Sequence, residues 1–332
     1  MNKIYLDFIT RELSVALWQV ENCMELLKEG ATIPFISRYR KERTGGLDEV
    51  QVAEVRYFFN LFNDMDKRKE AILKSIEEQE KLTPELRKEI EECIDSNRLE
   101  DIYLPYRPKR RTRASIAREK GLEKLALSIL NLEINDCEAE AGKYTSEEVP
   151  DTEAALAGAR DIIAETISET PAIRESLRNQ FTKYGKIVTK QQRGLTREDE
   201  EASKYRNYFD FSAGIHNIPS HRLLALLRGA NEGHLSIKLE VDSSYSENII
   251  AKSIFGNRKD FARASKEQVE VALADAYKRL LHPSIENEAF KIAKEKADRE
   301  AVKVFGDNLT ALLLAAPVGQ KRVLAIDPGF RT

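Results

Sequence analysis

The chain has 332 residues, long enough for two or three domains. Hydrophobic residues make up 42% and charged residues 33%, which excludes a disordered chain and supports packed cores under a heavily charged surface. A formal net charge of -3 and a pI of about 6.0 exclude a protein that coats nucleic acid with its whole surface, so any such contact must come from local patches.

Only 15 Gly and 10 Pro occur, which favours long helices over an all-β fold. Cys23, Cys93 and Cys137 lie far apart and form no CxxC; they read as reduced structural thiols, which suits the cytoplasm. Charges come too early in the N-terminal stretch for a signal peptide. The longest apolar run, residues 309–318, carries Thr310 and Pro317 and falls short of the roughly 20 residues a bilayer needs. No membrane partner is expected.

In chain order, residues 15–28 predict an amphipathic helix, with Trp18, Val20, Leu26 and Leu27 apolar and Gly30 ending it. Residues 34–43 predict a second helix, stopped by Thr44-Gly45-Gly46. Asp48 reads as an N-cap with Gln51 as its box partner. A long helix follows to about residue 80, through Val52, Val55, Phe58, Phe62, Met65, Ile72 and Ile76. Its three-four spacing breaks once, at Lys69. Some 30 residues make a rod of roughly 45 Å. Thr83-Pro84-Glu85 caps a returning helix with the stripe Leu86, Ile90 and Ile94, which predicts a hairpin of two long antiparallel helices.

Pro105 and Pro108 interrupt this pattern. Short helices are expected around Ile116 and from Leu122 to Leu130, then an acidic surface loop over residues 133–153. Helices are expected over residues 153–169, from Pro171 to Gly185, from Pro219 to Gly229 and over residues 269–281. The last, opened by Pro283, runs over 30 residues to about Ala315. Residues 186–190 read as a short strand, residues 235–241 as another with strict alternation, and the two predict a small paired ribbon. At the end, Val323-Leu324-Ala325-Ile326 leads into Asp327-Pro328-Gly329, the pattern of a buried strand with a carboxylate at its tip. That reads as a new α/β domain beginning at the end of the chain.

The strongest charge feature is Arg107, Lys109, Arg110, Arg111 and Arg113, with no acidic residue between Ile102 and Arg118. These cations can neutralise phosphates, and the flanking Tyr103 and Tyr106 can stack on bases. The alternative is a solvated loop whose arginines pair with acidic helices such as Glu89 to Glu92. A second cluster, Arg38, Tyr39, Arg40, Lys41 and Arg43, cannot share one helical face. It is a candidate interaction surface or a structural element.

Asp327 stands where RNase H-like nucleases place their first metal-binding carboxylate, but two-metal hydrolysis needs several. It is at most a vestigial metal candidate. His216, His221, His234 and His282 have no metal-ligand spacing. No phosphate-binding glycine loop or nucleophile elbow occurs. No cofactor, small-molecule substrate or catalytic residue is expected.

Several stretches resemble the Tex family of bacterial transcription accessory factors. They are Gly30-Ala31-Thr32-Ile33-Pro34-Phe35-Ile36-Ser37-Arg38-Tyr39-Arg40-Lys41-Glu42-Arg43-Thr44-Gly45-Gly46-Leu47-Asp48; Leu99-Glu100-Asp101-Ile102-Tyr103-Leu104-Pro105-Tyr106-Arg107-Pro108; Ile218-Pro219-Ser220-His221-Arg222; Pro283-Ser284-Ile285-Glu286-Asn287-Glu288; and Asp327-Pro328-Gly329-Phe330-Arg331-Thr332. The spacing predicts a mainly α protein with two very long helices and a small β-ribbon, and the resemblance implies helix-turn-helix-like elements among its helices. Residues 1–200 would form the N-terminal helical region, 201–320 a central helical region, and 321–332 the start of a YqgF-type RNase H-like domain. It further implies a non-enzymatic factor that binds RNA chiefly and DNA as well. The alternatives are a scaffold docking RNA polymerase, and a nuclease whose catalytic domain is mostly missing.

Overall fold

The computed structural model describes residues 2–192, 203–256, 261–317 and 319–326. The fold is mainly α with one small antiparallel sheet. Its contacts divide into two compact units. One holds Met1–Glu175 and Ile250–Tyr277, the other Ser176–Ile249 and Lys278–Thr332.

The first unit opens with α1 (Lys3–Leu13), which the sequence reading did not anticipate, followed by α2 (Leu17–Lys28). Gly30 takes φ 85°, as its reading as a helix stop requires. The helix expected over residues 34–43 is two pieces, α3 (Ile33–Tyr39) and α4 (Lys41–Thr44). Arg40 leaves the helical region between them, at φ −129° and ψ 27°.

The long helix α5 (Glu49–Glu77) begins at the expected box: Asp48 accepts from the Gln51 N–H at 2.8 Å, and Gln51 reaches back to the Asp48 N–H at 3.1 Å. Its buried stripe Val52, Val55, Phe62, Met65, Ile72 and Ile76 meets Tyr5 and Ile9 of α1, Val20 of α2 and Ile36 of α3. Tyr5 stacks on Phe62 with ring centroids 4.1 Å apart.

The expected long returning helix is instead two short ones, α6 (Pro84–Glu92) and α7 (Ser96–Tyr103). Asp95 causes the break. Its carboxylate accepts from the Asn97 and Arg98 N–H groups and starts a new helix, which leaves Ile94 outside the stripe and exposed.

Beyond the basic loop lie α8 (Arg113–Glu119), α9 (Glu123–Leu130), α10 (Cys137–Ala141) and α11 (Thr152–Ser168). The segment expected as an acidic surface loop contains α10 and buries Cys137, Ala141 and Val149. α11 is the organiser of this half and packs on α8, α9, α10 and α15 (Arg263–Asp275). Ser265 on α15 donates to the Ile134 carbonyl at 2.8 Å and accepts from the Ile134 N–H at 3.1 Å.

In the second unit the ribbon is a three-stranded sheet. β1 (Lys186–Gln191) lies between β2 (Asp210–Gly214) and β3 (Leu235–Glu240), both antiparallel to it. Ile187 opposes both Ala213 and Leu239. α12 (Pro171–Tyr184) leads into β1, and α13 (Ser220–Asn231) packs against β3 and α16 (His282–Leu313). α14 (Ser243–Phe255) follows β3.

A π-helical stretch, Ala276–Leu281, precedes α16, where Pro283 has no N–H to give the preceding turn. The far end of α16 leaves Val302, Phe305, Leu312 and Leu313 exposed. Residues 323–326, the described part of the expected terminal strand, carry no strand pairing, and Asp327 lies outside the described residues. No helix among the described residues is long and apolar enough to cross a membrane.

Candidate nucleic-acid interface

The basic loop is built between α7 and α8. A 3-10 turn, Leu104–Tyr106, closes α7, and the Gln79 amide from the end of α5 holds the Tyr106 carbonyl at 2.8 Å. Thr112 then starts α8. Its hydroxyl accepts from the Ser115 N–H at 3.0 Å, while its own N–H donates to the Ser115 hydroxyl at 2.9 Å. Between these fixed ends, residues 107–112 have no regular secondary structure.

The structure sorts the five cations into two groups. Arg107, Arg110 and Arg113 are exposed and form no ion pair among the described residues. Lys109 and Arg111 are engaged. Arg111 meets Glu119 at 2.8 Å in an open pair, which solvent keeps weak. Lys109 reaches down to α11, where its ammonium contacts Glu169 and lies 3.6 Å from Glu165, and its side chain is only 28% exposed. Arg118 adds a hydrogen bond to Glu165 at 2.5 Å, and the Thr112 hydroxyl donates to the other Glu165 oxygen at 3.1 Å.

The loop does pair with acids, but the partners lie on α11 and α8, not at Glu89 to Glu92. The sequence carried one sign of this. Glu165 falls on the buried stripe of α11, three residues after Ile162, where an unpaired carboxylate would not stay.

Electrostatics around this cluster run in opposite directions at its two carboxyls. Burial pushes Glu165 up, but the Arg118 hydrogen bond, the Lys109 and Arg118 charges and Thr112 outweigh it and hold the group below the usual carboxylate range. Burial pushes Glu169 up, and Lys109 does not fully offset it.

The expected base-stacking tyrosines are not available. Tyr103 is buried, its hydroxyl 3.1 Å from that of Ser75 and its ring beneath the Arg68 guanidinium. Tyr106 is half-buried against the first unit's core. α7 turns these rings inward because its apolar stripe runs through Leu99, Ile102 and Tyr103. The open surface of this loop therefore offers positive charge, with Tyr103 buried and Tyr106 half-buried behind it.

In the second cluster, Arg38 pairs with Glu49 at 3.0 Å, and Arg43 with Glu25 at 3.4 Å and Glu29 at 3.8 Å. The Arg40 guanidinium stacks over Phe35 at 4.8 Å. Lys41 forms no ion pair among the described residues, and Tyr39 is 66% exposed. Part of the cluster thus braces α3 and α4, while Tyr39, Arg40 and Phe35 stay at the surface. The interruption at Arg40 is what divides them.

Two family descriptions match this chain. "Tex-like protein N-terminal domain" covers residues 3–77, and "Tex central region-like" covers residues 133–305. The chain is 40% identical to the Transcriptional accessory protein Tex of Neisseria gonorrhoeae, over 97% of this chain and 42% of that protein. It is 39% identical to Protein tex of Bordetella pertussis, over 98% of this chain and 42% of that protein. The human S1 RNA-binding domain-containing protein 1 is 26% identical over 100% of this chain and 34% of its own length. The chain spans less than half the length of the relatives it matches. Both descriptions and the named relatives agree over the ground the helices occupy, and the chain belongs to the Tex family.

Proposed function

We propose that this chain is the helical scaffold of a non-enzymatic transcription accessory factor and that it contacts nucleic acid, chiefly RNA, through Arg107, Arg110 and Arg113. One observation carries the reading: these three guanidinium groups share one exposed segment and pair with no carboxylate among the described residues. Arg111 joins them when a phosphate displaces its open pair with Glu119. With no aromatic face at hand, contact is to the sugar-phosphate backbone and independent of sequence. The names of two relatives, a transcriptional accessory protein and an RNA-binding-domain protein, support the class of partner.

The test is binding of an unstructured RNA oligonucleotide and a duplex DNA at several salt concentrations. Replacing Arg107, Arg110 and Arg113 by Ala removes three phosphate contacts, which flattens the slope of log K against log salt by about 2.7 for the duplex and about 2.1 for the single strand. An unchanged slope and affinity would reject the patch.

A second reading has its own observation. Tyr39, Phe35 and Arg40 form an exposed aromatic-arginine surface of the composition found at protein interfaces. This surface suits docking to the transcription machinery. Capture of purified RNA polymerase after nuclease treatment, lost in Tyr39→Ala, supports it; capture unaffected by that substitution removes it.

A further inference from the structure

We infer that Lys109 and Glu165 are positioning residues that hold the arginine loop in shape, and that Lys109 is not itself a phosphate contact. This rests on the reading of Arg107, Arg110 and Arg113 given above and says what presents them.

Three donors from one short stretch converge on a single carboxylate. Lys109, Thr112 and Arg118 all reach Glu165, and Lys109 also holds Glu169. The loop is pinned to α11 at residues 109 and 112, with Arg110 and Arg111 between the pins. Arg107 and Arg113 lie just outside them. No secondary structure orders residues 107–112 otherwise, and an unpinned loop would lose conformational entropy each time it gripped a phosphate. Lys109 is poorly placed to grip one itself. Its ammonium already faces two carboxylates and its side chain is mostly covered.

α11 reinforces the arrangement from below. Its close approach to α8 and α9 at Gly158, where an added Cβ would meet Leu122 and Ala117, fixes the helix that carries both carboxylates.

Charge and positioning predict opposite signs for one substitution. Glu165→Gln removes a negative charge from beneath a phosphate-binding patch, so by charge alone it strengthens RNA binding. As a tether it weakens binding, because Gln cannot hold Lys109 and Arg118 as a carboxylate does.

The experiment measures RNA affinity over a salt series for the wild type, Glu165→Gln, Lys109→Gln and Lys109→Arg. Folding is checked by thermal melting. Loss of affinity of about three- to tenfold in both Gln variants is expected, the scale of ordering a few long side chains. Lys109→Arg, which keeps a cation against both Glu165 and Glu169, should recover most of it. The slope in Lys109→Gln should stay at the wild-type value, where loss of a direct contact to single-stranded RNA would reduce it by about 0.7.

Stronger binding by Glu165→Gln, or a slope in Lys109→Gln reduced by about 0.7, overturns the inference while the arginine patch stands. If the triple arginine variant binds like the wild type, both readings fall together.

Discussion

The ammonium of Lys69 donates to the hydroxyl of Tyr5 at 2.8 Å, inside a core built mainly of hydrophobic side chains. The same ammonium donates to the Glu91 carbonyl near the end of α6 at 2.7 Å, and the Tyr5 hydroxyl donates in turn to Asp66 at 2.6 Å. One lysine on α5 thereby holds α1 and α6. The charge is offset by a helix C-terminal carbonyl and, through Tyr5, by Asp66. Burial lowers the Lys69 pKa and raises that of Tyr5.

The partners of this group are unequal. Tyr5→Phe keeps the ring stacked on Phe62 but strips a buried ammonium of an acceptor, at an expected loss of about 1–3 kcal/mol. Lys69→Met removes the buried charge and keeps the apolar stem, so it should cost less than about 1.5 kcal/mol. Urea unfolding of the two variants checks this. A Lys69→Met loss larger than that of Tyr5→Phe would mean the lysine is a net stabiliser in its own right.

Gly158 predicts a reversal of an ordinary preference. Inside a helix, Gly→Ala normally stabilises by about 1 kcal/mol. Here the new methyl would run into Leu122 and stand 3.3 Å from the Ala117 Cβ. Leu122 is fully buried, so making room means repacking the core around it. Gly158→Ala is therefore expected to destabilise by about 1–3 kcal/mol, the cost of overpacking. A melting temperature above that of the wild type would show that Leu122 rotates aside at little cost.

Local signals in the sequence transferred well to the fold. The Asp48 and Gln51 box, Gly30 and Thr83-Pro84 each set a helix end, because caps act through neighbours one to three residues away. The two long helices followed from periodicity. The break at Lys69 was visible, but its meaning was not, since Tyr5 is 64 residues away. Lys109 and Glu169, 60 residues apart, are the same case at the candidate site. β2 was missed because Asp210-Phe211-Ser212-Ala213-Gly214 lacks the β-branched residues that mark β1, and only pairing with β1 makes it a strand. Asp95 was an N-cap signal hidden inside an apparently continuous stripe.

The Glu165 and Glu169 carboxyls should leave opposite marks on the acid limb of stability. Glu165 has a folded pKa below its unfolded value of 4.5. Its contribution is complete above that value and is lost as pH falls through the depressed folded one. Glu169 is raised, so its ionised form costs stability at neutral pH, and protonation relieves this cost as pH falls towards 4.5. Glu165→Gln should therefore lose about 1–3 kcal/mol at neutral pH, with the gap to the wild type closing in acid. Glu169→Gln should remove the relief seen above pH 4.5. Urea midpoints over a pH series decide it, and a constant gap between the wild type and Glu165→Gln would refute the assignment.

The three thiols report on how the first unit opens. Cys23, Cys93 and Cys137 are all buried and free. Burial pushes the Cys23 thiol up to about 11 and raises the other two as well. For Cys23 that shift from 9.0 lowers the thiolate fraction about a hundredfold at neutral pH, before any barrier to reagent entry is counted. Alkylation of the native protein must then wait for local opening, and the order of labelling ranks the opening energies. Cys93 should react first. It caps the short α6, where one N–H to the Ile90 carbonyl at 3.3 Å and one thiol contact to the Asp95 carbonyl at 3.2 Å hold it. Cys23, fully enclosed between α2 and the α5 stripe, should react last, on the timescale of global unfolding. Mass spectrometry after timed iodoacetamide exposure reads the order directly. Simultaneous labelling of all three would mean that the unit opens as one cooperative block, with α6 no weaker than α2.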